Sequence, residues 1–421
     1  MTNVAAEDNR IVADALDPRY RERQVVLSLG MGVDSVALLV RWILNATLRG
    51  FPLSALTVVT AMTGEEHDRT REYMERYLLP LMRKHRIRYV QICRAGQKRK
   101  HGYVVLSDTR RPDRMHMIGP WRLSYEMKAG GTLPSVRKGR RWCSDRAKGD
   151  PIDWWVRDNM QPGYIHVTGY AAEEGRRAAR DAEARLEKEG EGKTVPCLAW
   201  YPLMDWGMNR SDASKYLKQV FKLAEGEEWP RSCCTWCPFS GIAGSRAELV
   251  ARWRAQPEVA AFGLELEYTA LALNENIGLF GTGRTAFDVA LEEGLDHVVD
   301  IALARIEAHE SWDVLEIRRL FTAKDDDPSK KGSPFRSVRA IRTGTRRDLL
   351  DWMRANLVAE LEVDHRYGII RAWTRRRAPK GKSVVYPAAE HLHVLVPTGV
   401  DDKERSSFAR RWNEFHALTL F

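Results

Sequence analysis

The sequence of 421 residues contains little cysteine, no long apolar run and no secretory signal. Its six cysteines are too few for a disulfide framework over this length. No apolar run reaches the roughly 18 residues that a membrane span needs, and the polar N-terminus lacks a basic start followed by an apolar stretch. We therefore expect a cytoplasmic protein with no membrane partner, and the length predicts two or three domains.

The two commonest phosphate-binding loops are also missing. In "VVLSLGMGVDSVALLV", residues 25–40, no Lys-Ser/Thr pair follows the glycines, and Ser35 stands where Gly-x-Gly-x-x-Gly needs its last glycine. The stretch nevertheless runs from an apolar strand through a glycine turn into an apolar pattern with helical spacing. Such a turn presents backbone N–H groups at the positive end of the helix dipole, so it predicts an anion site.

The residues of this turn suit the phosphates of a nucleotide. Gly30 and Gly32 allow the backbone to approach a phosphate closely and to take up positive φ. Ser35 offers a hydroxyl near the helix start, and Asp34 is placed to cap the helix or to hold a magnesium ion. The nucleotide-binding residues predicted here are Ser28, Gly30, Gly32, Val33, Asp34 and Ser35.

Strands alternate with helices over the first half of the chain. Apolar runs at 24–29, 56–61, 87–94 and 163–170 predict strands. The alternation predicts an α/β fold in which helices cover both faces of a parallel sheet, with ligands at the carboxyl ends of the strands. The basic, proline- and glycine-bearing stretch 96–141 interrupts the pattern and is predicted to be an insertion.

Changes in composition divide the chain into five segments. The turn-forming residues of "TAKDDDPSKKGSP" predict a linker before a small basic domain. The predicted segments are an N-terminal tail over 1–23, a nucleotide-binding domain over 24–245, a helical extension over 246–321, a linker over 322–334 and an α+β domain over 335–421.

Positive charge is concentrated near the C-terminus. Residues 330–382 hold 15 Lys or Arg against 5 Asp or Glu, a surplus that equals the +10 of the whole chain. Within "RAWTRRRAPKGK", 371–382, Trp373 is interleaved with basic residues, which suits phosphate contact and base stacking. This predicts a nucleic-acid partner; the alternative is a solvated basic face beside an aromatic core anchor. His391 and His393 have no carboxylate or cysteine nearby in sequence, so we assign them to the surface or the core.

Three cysteines lie together in "SCCTWCPFSG", and the C-x-x-C spacing suits one metal ion or one edge of an iron–sulfur cluster. A tetrahedral zinc site and free or redox-active thiols are the alternatives. Because Cys233 and Cys234 are adjacent, one of them is free to relay sulfur if the other binds the metal. Cys93 and Cys197 are predicted to be buried, inert core residues. The predicted metal ligands are Cys143, Cys233, Cys234 and Cys237.

Five stretches in order resemble the adenine-nucleotide alpha-hydrolase superfamily, and within it the proteins related to 3′-phosphoadenylylsulfate (PAPS) reductase. Residues 25–40 resemble the pyrophosphate loop Ser-Gly-Gly-x-Asp-Ser, and Thr63, Gly64 and Glu66 match the second-strand motif Asp-Thr-Gly-x-Glu. The other three stretches are "LPSVRKGRRWCSDRAKGDPIDWWV", "VTGYAAEEGRRAAR" and "YPLMDWGMNRSDASKYL".

The chain departs from the family pattern at several positions. Gly30 and Met31 replace the Ser-Gly of the loop, and Met62 replaces the acidic residue of the second-strand motif. Val33 stands where the sulfate-reducing members often have lysine, and the C-terminal cysteine motif of a PAPS reductase is missing. These departures make classical PAPS reduction the weaker expectation.

The resemblance implies an ATP pyrophosphatase that adenylates a nucleic acid, DNA or tRNA, and then transfers sulfur to it. It implies ATP, Mg²⁺ and a 4Fe-4S cluster as cofactors and a sulfur donor such as a cysteine desulfurase. Asp34, Lys148 and Arg176 are the implied catalytic residues, and Arg141 is a further candidate for the cation at the phosphates. Two alternatives are an adenylyl-sulfate or PAPS-type reductase and an inactive nucleic-acid-binding protein with a structural metal site. The implied nucleotide contacts beyond the turn are Thr63, Gly64, Glu66 and Gly169.

Overall fold

The computed structural model divides the chain into two compact units. The first unit comprises residues 1–124 and 135–235, and the second comprises residues 125–134 and 236–421. Only residue 23 of the predicted N-terminal tail is among the described residues. The residues that the structure describes are 23–134, 136–137, 140–239, 246–281, 283–325, 327–378 and 383–418.

A six-stranded sheet forms the centre of the first unit. The strands up to residue 200 are β1 (Val25–Ser28), β2 (Leu56–Met62), β3 (Arg88–Arg94), β4 (Tyr103–Thr109), β5 (Val136–Arg137), β6 (Arg140–Arg141), β7 (Tyr164–Thr168) and β8 (Cys197–Trp200). The sheet order is β4-β3-β2-β1-β7-β8, while β5 and β6 form a separate ribbon. All neighbours in the sheet pair in parallel except β3 and β4. The prediction of an α/β fold is confirmed as a mixed, mostly parallel sheet, whose antiparallel edge strand comes from the predicted insertion.

Helices cover both faces of this sheet. Val25 and Leu27 of β1 belong to one buried cluster, which also contains apolar residues of α1. Val26, the residue between them, belongs to a second cluster with Trp155 and Val156 of α6. Burial of alternate residues on both faces explains why the strand reads as a continuous apolar run. The helices up to residue 221 are α1 (Val33–Leu44), α2 (Asp68–Tyr73), α3 (Leu79–Lys84), α4 (Leu123–Gly130), α5 (Trp142–Ser144), α6 (Asp150–Asn159), α7 (Gly175–Gly190), α8 (Pro202–Asp205) and α9 (Arg210–Phe221), of which α4 belongs to the second unit from residue 125 onward.

The second unit contains an antiparallel sheet in the order β11-β12-β13-β9-β10-β14. Its strands are β9 (Trp312–Lys324), β10 (Asp327–Gly344), β11 (Leu361–Asp364), β12 (Ile369–Arg375), β13 (Ala388–Pro397) and β14 (Lys403–Glu404).

Among the described residues, no helix is both long and apolar enough to cross a membrane. The helices are α10 (Arg246–Ala255), α11 (Pro257–Leu273), α12 (Ala286–Glu292), α13 (Asp296–Glu307), α14 (Arg346–Asn356) and α15 (Phe408–Leu418).

The predicted linker over 322–334 is wrong, because residues 322–324 belong to β9 and residues 327–334 belong to β10, which pairs with β9. The register between these strands shifts between Asp327 and Lys331 and again between Lys331 and Pro334. Bulges of this kind accommodate turn-forming residues inside a paired strand. The predicted helical extension is helical to Glu307, after which β9 begins at Trp312, so the sheet starts earlier than the composition indicates.

Candidate functional site

The candidate site of the first unit lies at the carboxyl ends of β2, β1 and β7. Residue 28 at the end of β1 is in register with Val59 of β2 on one side and with Thr168 of β7 on the other. The chain continues from β1 to β2 and β3 in one direction and reaches β7 and β8 only later, so the strand order changes direction at β1. Open α/β sheets bind ligands in the crevice that forms at such a point.

The glycine turn is strained at Met31. This residue has φ +64°, a left-handed conformation that glycine adopts most easily, although Gly30 and Gly32 do not have positive φ. The expectation that the two glycines supply positive φ is therefore wrong. The Met31 side chain is fully buried, and Trp229 Nε1 donates a 3.0 Å hydrogen bond to its carbonyl oxygen. Core packing and this hydrogen bond stabilise a turn that the local sequence alone disfavours.

The first turn of α1 has no side-chain cap at its N-cap residue, Gly32. The Ser35 hydroxyl donates to the Gly32 carbonyl oxygen at 3.3 Å instead of capping an N–H group. The N–H groups of a helix's first turn have no partner within the helix and carry partial positive charge. Val33, an implied nucleotide contact, is the first residue of α1, so its backbone N–H is one of these groups.

Gly169 lets the loop after β7 pass directly against this turn. A Cβ atom at residue 169 would lie 2.7 Å from Ser35 Cα and 2.9 Å from Ser35 N. These neighbours are backbone atoms of a helix, so they cannot rotate away as a side chain would. The structure thus brings Gly169 next to the residues of the glycine turn, and the glycine is needed for the close approach.

Glu66 organises the loop after β2. Its carboxylate accepts hydrogen bonds from Thr63 N at 2.9 Å, Thr63 Oγ1 at 2.8 Å and Gly64 N at 3.1 Å. The Glu66 side chain is only 2% exposed, so these bonds form away from solvent. Gly64 has φ +81°, and a Cβ there would lie 2.7 Å from Arg122 Cγ. The second-strand motif therefore forms a carboxylate-centred loop that requires a glycine at position 64.

The segment Arg231–Cys234 lies against both the glycine turn and the Glu66 loop. A Cβ at Gly32 would lie 3.4 Å from Ser232 Cβ, and Cys234 pairs with Glu66 through an isolated β-bridge. Lys148 lies at the same place: its Nζ is 3.9 Å from Glu66 Oε1 and 3.4 Å from Ser232 Oγ. The glycine turn, the Glu66 loop, Lys148 and Cys234 are therefore neighbours, although they are far apart in sequence.

Burial raises the pKa of both cysteines near Lys148. For Cys234 the pKa is well above its usual value because of burial first and then the charge of Glu66, while Lys148 acts in the opposite direction. For Cys143 burial is again the main cause, opposed by a backbone hydrogen bond at Ser144 and by the charges of Arg141 and Lys148. Without a bound metal these side chains are therefore thiols at neutral pH.

The distances between the cysteines in the first unit also bear on the metal prediction. Among the described residues, only Glu316, His391 and His393 form a group of three potential ligands within 4.8 Å of one another. Thiolates around a zinc ion lie about 3.8 Å apart, given Zn–S bonds of about 2.3 Å. Cys143, Cys233 and Cys234 are spaced more widely than a single zinc ion requires, and Cys237 belongs to the second unit. Cys93 is buried as predicted, whereas Cys197 on β8 is partly exposed, so that half of the core prediction is wrong.

Asp34 forms an ion pair with Arg210, the first residue of α9. Arg210 Nη2 and Nε donate to Asp34 Oδ2 at 2.7 and 3.1 Å. Glu174 Oε1 lies 3.5 Å from Arg210 Nη2, and Glu173 accepts from the Arg210 backbone N–H at 3.1 Å. Burial raises the pKa of Asp34; Arg210 opposes this effect, and Glu174 and Glu173 add to it. Two carboxylates, Asp34 and Glu174, thus contact the Arg210 guanidinium beside the first turn of α1, and a third, Glu173, contacts the backbone of Arg210. Arg176 is exposed in the first turn of α7.

The Ser28 hydroxyl is within hydrogen-bonding distance of a buried histidine. Ser28 Oγ lies 2.8 Å from His166 Nε2, and the Tyr164 hydroxyl lies 2.8 Å from His166 Nδ1. Burial, Arg185 and Lys188 lower the pKa of His166 well below its usual value, so the ring is neutral. Ser28 therefore connects the glycine turn to a polar group inside β7.

The basic stretch near the C-terminus is largely paired within the second unit. Arg376 lies 4.2 Å from the centre of the Trp373 ring, and Arg375 lies 4.7 Å from that of Phe415. Arg377 Nη2 donates to Glu390 at 2.6 Å. The prediction of a nucleic-acid partner therefore gains no support from these arginines, and Lys380 and Lys382 lie outside the described residues.

Sequence reasoning missed the side chains that other elements bring to the site. Arg210, Ser232 and His166 contact the predicted site residues Asp34, Lys148 and Ser28. Glu173 and Glu174 contact Arg210. Glu173 and Glu174 lie within a stretch that resembles the family, which is the one local signal that pointed to them. Comparisons with protein-family models, curated proteins and solved structures found no match.

Proposed function

We propose that the first unit binds ATP at the glycine turn and transfers AMP from it to a substrate oxygen. The bond between the α and β phosphates breaks, pyrophosphate leaves, and the substrate oxygen bonds to the α phosphorus. One observation carries the proposal: an uncapped helix N-terminus, the Glu66 loop and Lys148 meet where the strand order changes direction. The resemblance of the five stretches to the PAPS reductase-like proteins supports the same chemistry.

In this proposal the first turn of α1 binds the pyrophosphate. Its N–H groups supply donors that need no reorganisation as negative charge builds on the leaving group. Lys148 adds a full positive charge; its side chain is 26% exposed and the Glu66 carboxylate fixes its position. Glu66 is occupied by Thr63 and Gly64, so its role is to hold the loop and to orient Lys148.

Asp34, Glu173 and Glu174 are the residues that fit a magnesium ion. Mg²⁺ prefers oxygen ligands and is usually held by one or two carboxylates together with substrate phosphates. Arg210 neutralises these carboxylates in the structure, so binding of Mg²⁺ with ATP requires Arg210 to release Asp34. Arg210 is 47% exposed, which leaves its side chain room to turn toward the phosphates. The ion supplies charge stabilisation at the phosphate oxygens.

The second half of the proposed reaction replaces AMP with sulfur. A sulfur nucleophile forms a bond to the activated atom, the bond to the bridging oxygen breaks, and AMP leaves with the electron pair. The proposed ligands of an iron–sulfur cluster are Cys143, Cys233 and Cys234, with zinc as the alternative. A metal would deprotonate the thiols of Cys143 and Cys234, whose pKa burial raises. The proposed sulfur source is a cysteine persulfide together with a thiol reductant, and the proposed acceptor is DNA or tRNA, in keeping with the resemblance of the five stretches to nucleic-acid-thiolating proteins.

AMP formation from α-labelled ATP tests the proposal. The anaerobically purified chain is incubated with Mg²⁺ and DNA or tRNA, and labelled AMP and pyrophosphate are measured. We expect Asp34→Ala and Lys148→Met to reduce AMP formation about 10²- to 10³-fold, the usual cost of losing a charge-stabilising group. Lys215→Met, an exposed lysine on α9, is the matched control and should leave the rate unchanged.

Three results separate this proposal from its alternatives. Unchanged AMP formation by Asp34→Ala would contradict it. Turnover that requires adenylyl sulfate and an electron donor in place of ATP would favour the reductase. An absorption spectrum with iron and sulfide counts decides between an iron–sulfur cluster and zinc without depending on turnover.

A further inference from the structure

Two histidines and a glutamate share one face of the sheet in the second unit. In the antiparallel register of β13 and β9, His393 lies opposite Glu316, and His391 lies opposite Arg318. Residues two apart on a strand point to the same face, so these side chains lie side by side. The sequence shows only the two histidines, because Glu316 is 75 residues away from His391.

We propose that Glu316, His391 and His393 form a binding site for a divalent transition-metal ion, with zinc the expected occupant. The site is independent of the glycine turn and of the cysteines in the first unit. Its three ligands join β9 to β13, and a fourth coordination position remains for water or another ligand. Two histidines with one carboxylate are a known donor set for zinc.

The spacing of the three side chains fits one ion. Ligands at about 2.0–2.1 Å from a tetrahedral zinc are about 3.4 Å apart. His391 Nε2 and Glu316 Oε1 are already 3.1 Å apart, and one ligand atom from each of the three residues lies within 4.8 Å of the others. Small side-chain rotations therefore suffice to bring the His393 nitrogen to the same ion.

An unsatisfied nitrogen marks the same place. Among the residues that the structure describes, the buried His393 Nδ1 has no hydrogen-bond partner, and buried polar atoms of this kind are rare. Neutral imidazole nitrogens are the commonest metal ligands. A metal ion would satisfy a nitrogen that the protein leaves unpaired.

The cations near the site address the other oxygen of Glu316. Arg339 Nη2 lies 3.2 Å and Arg318 Nε 3.6 Å from Oε2, while Oε1 faces His391. Carboxylates that bind metals commonly have their second oxygen held by such a partner. The two positive charges reduce the affinity for a dication, which predicts a site of moderate strength.

Trp412 and His416, the ring side chains of α15 near the site, do not bind the ion in this proposal. The Trp412 ring lies 6.0 Å from that of His391 at 86°, and the His416 ring lies 4.9 Å from that of Trp412. Glu404 of β14 is paired with Arg318 at 3.3 Å. Imidazole nitrogens and a carboxylate favour zinc, nickel and cobalt over the hard cations magnesium and calcium.

Cobalt binding to the full chain tests this site. Cysteine thiols are first alkylated so that they cannot bind the metal, and Co²⁺ is then titrated into the metal-free protein while its visible absorption is recorded. We expect one equivalent to bind, with an affinity at least about tenfold lower in His393→Ala and in Glu316→Gln, since even partners outside the ligand shell change affinity 10- to 100-fold. His365→Ala, an exposed histidine of the same unit, should bind as the wild type does.

X-ray absorption at the zinc edge of the alkylated wild-type protein provides a readout that does not depend on a variant's folding. The proposal expects a first shell of nitrogen and oxygen at about 2.0–2.1 Å. Equal Co²⁺ affinity in wild type, His393→Ala and Glu316→Gln would overturn it. Absence of saturable binding to the wild type would also overturn it, since the three residues would then form only a salt-bridge network.

Discussion

The two sheets of this protein place their charged side chains differently. In the mostly parallel sheet of the first unit, polar groups collect just beyond the strand ends, where Glu66 lies in the loop after β2, Lys148 lies beside it, and Asp34 lies in the first turn of α1. In the antiparallel sheet of the second unit, polar groups pair across the strands, as Arg319 of β9 does with Glu390 of β13, which Arg377 just beyond β12 also contacts. The charged side chains of the first unit therefore lie at one edge of the sheet, where they can bind a ligand. Many charged side chains of the second unit instead pair with one another within the sheet.

Two buried glutamates show the same contrast on a smaller scale. Glu66 accepts three hydrogen bonds from Thr63 and Gly64 and has Lys148 beside it. Glu267 of α11 is fully buried and accepts hydrogen bonds from the backbone N–H groups of Leu279, Ala286 and Phe287. Both carboxylates hold a loop in place, but only the first lies at a sheet edge suited to a ligand.

The largest effect is expected from Gly169→Ala in the first unit. The new Cβ would lie 2.7 Å from Ser35 Cα and would displace the first turn of α1. We expect AMP formation to fall at least about a hundredfold, because a shift of 1 Å is enough to cost that much, and the free energy of unfolding to fall by about 1–3 kcal/mol. Both quantities are measured on the purified variant.

Gly190→Ala is the control for this substitution. Gly190 ends α7, and a Cβ there would meet nothing within 4 Å. It should leave both quantities intact or raise the stability slightly. If Gly169→Ala behaved like the control, the close approach of the β7 loop to the turn would not matter for function.

The next effect concerns the pH dependence of the second unit. Burial raises the pKa of Glu267 from 4.5 to about 7, with the hydrogen bonds from Leu279, Ala286 and Phe287 opposing it. The folded state therefore holds a proton that the unfolded state releases, and the free energy of unfolding falls as pH rises between these values. Relative to Glu267→Gln, the wild type should lose about 3 kcal/mol over this window.

Urea unfolding at several pH values measures this difference for the second unit. Above pH about 7 the difference should stay constant, because Glu267 is then ionised in both states. A difference that does not change with pH, or that grows in favour of the wild type, would show that Glu267 titrates normally.

The smallest expected effects come from comparing a partly buried ion pair with an exposed ion pair in the second unit. Arg377→Met should lower the free energy of unfolding by about 1–3 kcal/mol, because it removes a partner of Glu390, which is 6% exposed. Arg354→Met breaks an exposed pair with Asp351 and should change stability by less than about 0.5 kcal/mol. Equal effects of the two substitutions, measured by urea unfolding, would contradict the view that the basic stretch is used internally.

The sequence predicts the parts of the first unit that depend on local pattern. The glycine turn and the Thr63–Glu66 loop are each formed by a few consecutive residues, so their motifs were visible. Arg210 reaches Asp34 across 176 residues, and no local pattern carries that contact. The positions of Ser232 and Lys148 beside these two loops likewise follow from the order of the strands in the sheet. The sequence indicates that order only indirectly.

The errors in the second unit have the same physical origin. The sequence of 322–334 contains the aspartates, proline and glycine of a typical loop, yet 322–324 and 327–334 lie in β9 and β10 because a neighbouring strand supplies hydrogen bonds. His391 and His393 lacked a partner nearby in sequence and gained Glu316 through strand register. Most of the features that the sequence did not predict therefore depend on strand pairing between residues that are distant in sequence.

A structure of the protein with Mg²⁺ and a nucleotide that cannot be cleaved between the α and β phosphates tests the central claim most directly. The account predicts that the β and γ phosphates lie within hydrogen-bonding distance of the first-turn N–H groups of α1, with Lys148 at the phosphates and Asp34 released by Arg210. A nucleotide bound elsewhere, with the Asp34–Arg210 pair intact, would contradict it.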